Sequence, residues 1–503
     1  MLKRNLIANY LGQGWVAVMG LVFIPVYIRH LGMEAYGLIG LYAMLQAWLG
    51  LLDMGMTPTL SREMARFTGG QHSAQSIRDL LRSVEVIGLC IAAVMAGSLW
   101  ALSGWIASDW LRSEKLPVRT VANAFAIMGM VAALRFIEGL YRSAIVGLQR
   151  QVLLNAVASV MATIRGLGAV AVLIWISPTI QAFFLWQGIV SVSTVIVLAS
   201  ATYAALPSSY RPGRFSREAL RAVGSFAGGM LGVTVLALLL TQVDKILLSR
   251  LLTLSEYGRY TLAATAAGAA SLLISPITQA FFPRLTHLHS SGSDRDLSNA
   301  FHQGSQLVTV VFGTACLTIF FYTDPLLMLW LHDPELAQKT VILVKALIVG
   351  SLVAGMMMIP YQTQLAHGWT GLAVRINIGA VCLVVPAMFW AANRYGALGA
   401  ACVMAGLNTC YLLFEPYFMH KRILKMEKWR WYLEDIAIPL GAATCVFALS
   451  HGFVRSQQRP LGSAIALVAT STIALCVSFV LASHLRTEAW SYLLKLTSHG
   501  TKP

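Results

Sequence analysis

The stretch RHLGMEAYGLIGLY, residues 29–42, returns as RLLTLSEYGRYTLA at residues 250–263. Leu31, Tyr36, Gly37 and Leu41 are matched by Leu252, Tyr257, Gly258 and Leu262, each pair 221 positions apart. Both copies stand where one long apolar run ends and the next begins, so the echo marks two related halves of a membrane protein. Duplicated membrane bundles commonly carry something across between their halves. Leu140 and Gly147 against Tyr361 and Gly368 repeat the same register near the ends of apolar runs four and ten.

The composition agrees, since 57% hydrophobic and 12% charged residues do not describe a water-soluble chain of 503 residues. In hydrocarbon each backbone polar group must be satisfied internally, and runs of about 20 residues without alternation select helices over a barrel. The expected fold is an all-α polytopic membrane protein of about fourteen transmembrane helices. They fall near 6–28, 35–54, 83–104, 120–145, 152–176, 180–205, 222–249, 258–282, 305–331, 339–365, 371–391, 397–418, 434–454 and 461–483. Residues 1–206 form an N-terminal lobe (spans 1–6) and 207–420 a C-terminal lobe (spans 7–12), while 421–503 hold an extra helical pair (spans 13–14) and a cytoplasmic tail. Six passes per lobe is an even number, so the pseudo-two-fold repeat is parallel.

Lys and Arg gather on the side of Lys3 and Arg4, in loops bearing Arg62, Arg66, Arg78, Arg82, Arg211, Arg214 and Lys421. By the positive-inside rule both termini are cytoplasmic. The net charge of +16 is then mostly topology signal, spread over short loops, and nucleic acid is not an expected partner. Membrane lipids are, and the clusters at 211–221 and 421–430 suit anionic headgroups. Met1 to Ile28 reads as a retained first span, because its apolar run exceeds a signal h-region and no small-x-small cleavage site follows. The seven cysteines lie in spans without paired spacing, and His287, His289 and His302 lack partners at ligand spacing. No disulfide framework, metal site or cofactor is expected.

Ionisable residues within spans are the sharpest functional pointers, since each costs free energy unless it faces water or a partner. Span four carries Arg135, Glu138 and Arg142 at i, i+3 and i+7, one helical face. Span five adds Arg165, about 20 Å along its helix from the inner surface. An isolated arginine there costs about 3 kcal/mol on insertion scales, so it needs a water-filled cavity, Glu138 or an anionic ligand. A structural ion pair with Glu138 would explain one arginine and leave a surplus; the surplus points to an anionic cargo. Asp244, beside Lys245 in span seven, and Glu138 are candidates for coupling to H+ or Na+. Asn9 and Gln13 in span one and Gln242 in span seven suit sugar hydroxyls, and equally suit helix-to-helix hydrogen bonds. Asp53, Arg62 and Arg284, at the cytoplasmic ends of their spans, are gate candidates; solvated end-pairs are the alternative.

LGMEAYGLIGLY, LLDMGMTPTLSREMAR (51–66), GLYRSAIVGLQRQVLLNAV (139–157), TQVDKILLSRLLTLSEYGRYTLA (241–263), PITQAFFPRL (276–285), LLMLWLHDPELA (326–337) and YGALGAACVMAGLN (395–408) occur in that order. Together they resemble the polysaccharide-exporter branch, the O-antigen-type oligosaccharide-lipid flippases, of the multidrug/oligosaccharidyl-lipid/polysaccharide superfamily. The resemblance implies two six-helix lobes in a V that open alternately to either side. It implies a protein of the bacterial inner membrane, not an enzyme, that moves undecaprenyl-diphosphate-linked oligosaccharide units outward for O-antigen, capsule or exopolysaccharide synthesis. A polysaccharide polymerase and a chain-length regulator are the implied partners. In the related lipid II flippases arginines on the first, second and eighth spans contact the diphosphate. Here spans one and eight offer only Arg29 and Arg284 at their ends and span two has Asp53, so Arg135 and Arg165 are the preferred anion ligands. A multidrug exporter of the same superfamily would want an acidic, aromatic cavity. A membrane glycan polymerase or ligase would want carboxylates or histidines on a sizeable outer loop, which segment 105–119 does not provide.

Overall fold

The computed structural model describes residues 2–70, 72–207, 211–216, 235, 238–369, 371–456, 460–488 and 490. These residues are predominantly α-helical, with short 3-10 and π turns, and the one bridge among them joins Arg112 to Thr253. Twelve helices among the described residues are long and apolar enough to cross a membrane. Two circumstances separate this number from the fourteen expected spans. Expected span 222–249 lies largely outside the described residues. Expected spans 371–391 and 397–418 are two helices that meet directly at Gly396 within Gly371–Arg422, so they count as one continuous stretch. Gly396 takes φ 60° and ψ −143°, a conformation essentially confined to glycine. The chain doubles back so tightly there that a methyl on Gly399 would collide with the Ala391 carbonyl.

The chain divides into two compact units, Met1–Arg259 and Tyr260–Pro503. The first holds α1 (Leu2–Val22), α2 (Ile24–Leu31), α3 (Met33–Leu49), α4 (Met56–Thr68), α5 (Ala74–Trp105), α6 (Val118–Gly147), α7 (Gln151–Trp175), α8 (Ile180–Ala205), α9 (residues 238–251) and the start of α10 (Leu254–Gly268). At its centre α6 packs against α3, α4, α5, α7 and α8. Small residues make that possible. Ala124, Ala132 and Ala144 are buried on α6, and a methyl on Gly129 would stand 2.8 Å from Leu99 of α5. One on Gly147 would strike the Ser61 carbonyl of α4.

The repeated motif explains its own glycines. A methyl on Gly37 would lie 2.5 Å from the Leu254 carbonyl oxygen, and one on Gly258 would lie 2.5 Å from the Met33 carbonyl oxygen. Met33 and Leu254 hold the same place in the two copies, so the contact is reciprocal. Each copy opens its helix surface to the other's first turn. Next to it Glu34, 5% exposed, accepts from the backbone N–H groups of Glu114, Lys115 and Leu116 at 2.9–3.1 Å. The Leu254 N–H donates to the Arg112 carbonyl at 2.9 Å. The start of α10, the start of α3 and loop 111–117 are thereby tied together.

The second unit holds α11 (Ile274–Ser290), α12 (Asp294–Val308), α13 (Thr314–Phe321), α14 (Thr323–Leu331), α15 (Pro334–Met356), α16 (Met358–Ala366), α17 (Gly371–Arg422), α18 (Lys428–Arg430), α19 (Ile438–Ser456) and α20 (Pro460–Leu481). Its core gathers Phe301, Phe312, Met419 and the fully buried Trp431. The last two helices pack on each other and on α13, where Phe447 and Ala443 meet Tyr322 and Leu317. Below them His302 is wholly buried, bonded to Asp435 through Nδ1 at 2.6 Å and to Glu427 through Nε2 at 3.3 Å, with the His484 ring stacked 5.1 Å away. This cluster pins α12 to the segments around α18 and following α20.

Candidate functional site

Helix α6 delivers Arg135, Glu138 and Arg142 on one face because they are three and four residues apart, and α7 brings Arg165 to the same point. Glu138 is 4% exposed. Arg142 Nη1 stands 3.6 Å from its Oε1, while Arg165 Nη2 and Arg135 Nε stand 3.8 and 4.0 Å from its Oε2. These are electrostatic approaches, longer than hydrogen bonds. Arg135 Nε, Arg165 Nε and Nη2, and Glu138 Oε2 are all buried without a hydrogen-bonding partner. Three guanidinium groups thus surround one carboxylate, leaving two positive charges and a set of donors unspent.

The face opens into a cavity of about 370 Å³ lined by Arg135, Glu138 and Arg142 together with Gln46, Asp53, Thr57 and Phe136. Tyr42 stands beside Arg135 and Arg165, receives Gln46 Nε2 on its hydroxyl at 2.8 Å, and is braced edge-on by Phe184 at 5.2 Å. Tyr27, beside Arg165, is braced by Phe183 in the same way at 5.0 Å. The arrangement offers an anion charge-assisted hydrogen bonds at one end, and amide, hydroxyl and aromatic surfaces beside them.

The other residues singled out from the sequence are placed as follows. Asp53 lines the cavity and accepts from Thr57 N at 3.1 Å and Thr57 Oγ1 at 2.8 Å, capping α4. Arg62 turns to Glu63 at 3.0 Å, not to Asp53, in a cluster with Arg66 and His72. Burial would raise the Glu63 carboxyl, but the bonds from His72 and Arg66 hold it below the ordinary glutamate value. Asn9 uses both ends of its amide between helices, donating to Gln151 at 2.8 Å and accepting from Asn155. Gln13 is exposed. Gln242 accepts from Lys245 at 3.0 Å, and Asp244 is buried on α9. Arg284 belongs to the second unit, its guanidinium 5.9 Å from the Phe281 ring centre.

The sequence reading did not single out Tyr27, Tyr42, Gln46 or Thr57. Tyr42 and Gln46 carried a usable signal, since i, i+4 on span two puts them on one face. Glu85 is clamped by the Tyr141 and Tyr203 hydroxyls and by Arg82, at 2.8–3.1 Å. That clamp joins three helices far apart in sequence.

The fold is shared by a class of membrane transporters. A multidrug resistance MATE transporter of the MOP superfamily, inward-facing, superposes with a TM-score of 0.69 at 11% identity over 82% of this chain and 96% of that one. The lipid II flippase MurJ, inward closed, gives 0.63 at 12% identity over 94% and 97%. Residues 2–289 match the family described as polysaccharide biosynthesis protein, and the chain belongs to that family. A Shigella flexneri protein named "Putative O-antigen transporter" is 19% identical over 398 residues, 79% of this chain and 93% of that protein. The protein is therefore a multi-pass membrane member of the polysaccharide biosynthesis family with the MOP-superfamily fold.

Proposed function

We propose that the protein flips undecaprenyl-diphosphate-linked oligosaccharide units from the cytoplasmic to the outer face of the bacterial inner membrane, for O-antigen, capsule or exopolysaccharide synthesis. The observation that carries this reading is the convergence of Arg135, Arg142 and Arg165 on Glu138, with Arg135 Nε and Arg165 Nε and Nη2 buried and unspent. A diphosphate carries about two negative charges and cannot enter hydrocarbon without replacement of its hydration shell. The guanidinium fork matches phosphate oxygens, and the cage's surplus of two charges equals what the cargo brings. Gln46, Tyr42 and Phe136 then offer the first sugars hydrogen bonds and an apolar ring face. The polyprenyl tail needs no protein cavity, because lipid is its solvent. With both termini cytoplasmic, the site loads from the side of Arg62 and Arg142 and releases outward by alternating access, without bond making or breaking.

Export of organic cations is the competing activity for this fold. A cation site needs acids free to receive it, whereas Asp53 is spent on Thr57 and Glu138 is enclosed by three guanidinium groups. Coupling to H+ or Na+ and docking to a polymerase and a chain-length regulator belong to the same proposal, with Asp244 as the second coupling candidate.

The test is flipping of a fluorescent undecaprenyl-diphosphate oligosaccharide in proteoliposomes. Wild type moves it, and Arg165→Ala or Arg135→Ala at matched folded protein slows it by about tenfold to a hundredfold, the cost of a lost charge-assisted hydrogen bond or two. Full-rate flipping in both variants would overturn the arginine site. Transport of cationic dyes without competition by the lipid-linked glycan would overturn the cargo.

A further inference from the structure

Glu415, in the second half of α17, is 8% exposed and lies in a segment apolar enough to cross a membrane. A carboxylate there is costly unless a cation or several N–H groups face it. No Lys, Arg or His among the described residues pairs with it. Several charged groups of this unit are engaged elsewhere. On α15, Lys339 pairs with Glu335, and Lys345 lies 5.7 Å from the Phe320 ring. On α18, Lys428 sits between the Tyr417 and Trp429 rings at 5.2 and 5.1 Å, while Arg430 turns to Glu427 and Glu434. At the end of α17, Arg422 stacks on Trp369 at 4.7 Å. Tyr411, one turn before Glu415, donates its hydroxyl to Asn377 Oδ1 at 3.0 Å.

What Glu415 does have is Gln364 on α16, whose Nε2 donates to its Oε1 at 2.7 Å. Gln364 is 1% exposed, and its own Oε1 is buried with no donor. The pair therefore has one surplus charge and one missing hydrogen. A single proton on the Glu415 carboxyl removes both faults, because a neutral acid is a donor as well as an acceptor.

We propose that Glu415 is a proton-binding site, held in this conformation as the neutral acid with its O–H directed at Gln364 Oε1. An alkali cation fits the place less well, since with Glu415 Oε1 taken by the Gln364 amide it would find Glu415 Oε2 and Gln364 Oε1 as side-chain ligands, fewer than such an ion takes. The group is chemically the opposite of the arginine cage, and its assignment does not depend on what that cage binds. A rearrangement that separates α16 from α17, or admits water between them, releases the proton.

The test is infrared difference spectroscopy of the full-length protein in lipid at neutral pH, comparing wild type with Glu415→Gln. Wild type shows a protonated-carboxyl C=O band that moves on deuteration and vanishes in Glu415→Gln. In Gln364→Leu the band persists but shifts upward, because its acceptor has gone. A difference spectrum with only carboxylate bands would overturn the proposal. So would a protonated band that sodium abolishes, which would make the occupant a cation.

Discussion

Glu34 and Glu138 are two carboxylates of the same unit, 5% and 4% exposed, with opposite surroundings. Glu34 is filled by backbone N–H groups at hydrogen-bond distance, so its loop is finished structure. Glu138 faces three full charges, none at that distance. Burial alone separates nothing here. What separates architecture from a binding site is whether the polar valences are closed. A carboxylate with unmet partners, among cations with unmet donors, is what the proposed anion site rests on.

Removing each member of the comparison should give different kinds of damage. Glu34→Ala has the largest effect on folding, because three N–H groups lose their buried charged acceptor; a loss of about 3 kcal/mol is expected, read as a lower melting temperature in detergent. Flipping per folded molecule should survive it. Arg165→Ala has the largest effect on transport and should melt closer to wild type than Glu34→Ala does; the reverse ranking would make Arg165 a structural residue. Glu138→Gln sharpens the contrast, since it removes the charge that competes with an incoming anion. Inorganic pyrophosphate should bind that variant about tenfold more tightly in titration calorimetry, roughly 1.4 kcal/mol of relieved repulsion, whereas Glu34→Gln should leave its binding unchanged.

The smallest expected effect is on pH dependence, and it comes from histidines beyond the spans. Burial, with His289 beside His367 and His302 beside His484, holds both imidazoles below the ordinary value of 6.5. The unfolded chain then binds protons more readily than the folded one. This contribution to stability is present above pH 6.5 and fades as pH falls from there toward the folded values. Melting temperatures across that range should decline in wild type and decline less in His367→Asn.

Much of the molecule is legible in its sequence, and most of the unread parts share a cause. The spans follow from apolar length, the echo of 29–42 at 250–263 announces its own contact, and the α6 stripe follows from spacing on one helix. Arg165 could be placed by depth, since rise per residue is a local property. Glu34 could not be understood without loop 111–117, nor Asn9 without Gln151 and Asn155, nor Glu415 without Gln364. Each depends on partners distant in sequence, and a buried polar side chain does not announce its partner. Asp53 is a different miss, because Thr57 is four residues away and a capping carboxylate at a span end was within reach. Spans eleven and twelve are two helices as expected from their apolar runs, but Gly396 and Gly399 let them meet with a shorter connection than residues 392–396.

The reciprocal glycine contact also constrains how the protein is made. Met33 and Gly37 leave the ribosome more than two hundred residues before Leu254 and Gly258. The first unit therefore cannot close while only its own six leading spans have been synthesised, and α3 must wait in the bilayer with part of its surface uncovered. Long-range closure of this kind is slow and leaves intermediates exposed. A truncation that stops short of Leu254 should yield inserted helices that remain open to proteolysis near loop 111–117. Extension through Gly258 should protect it.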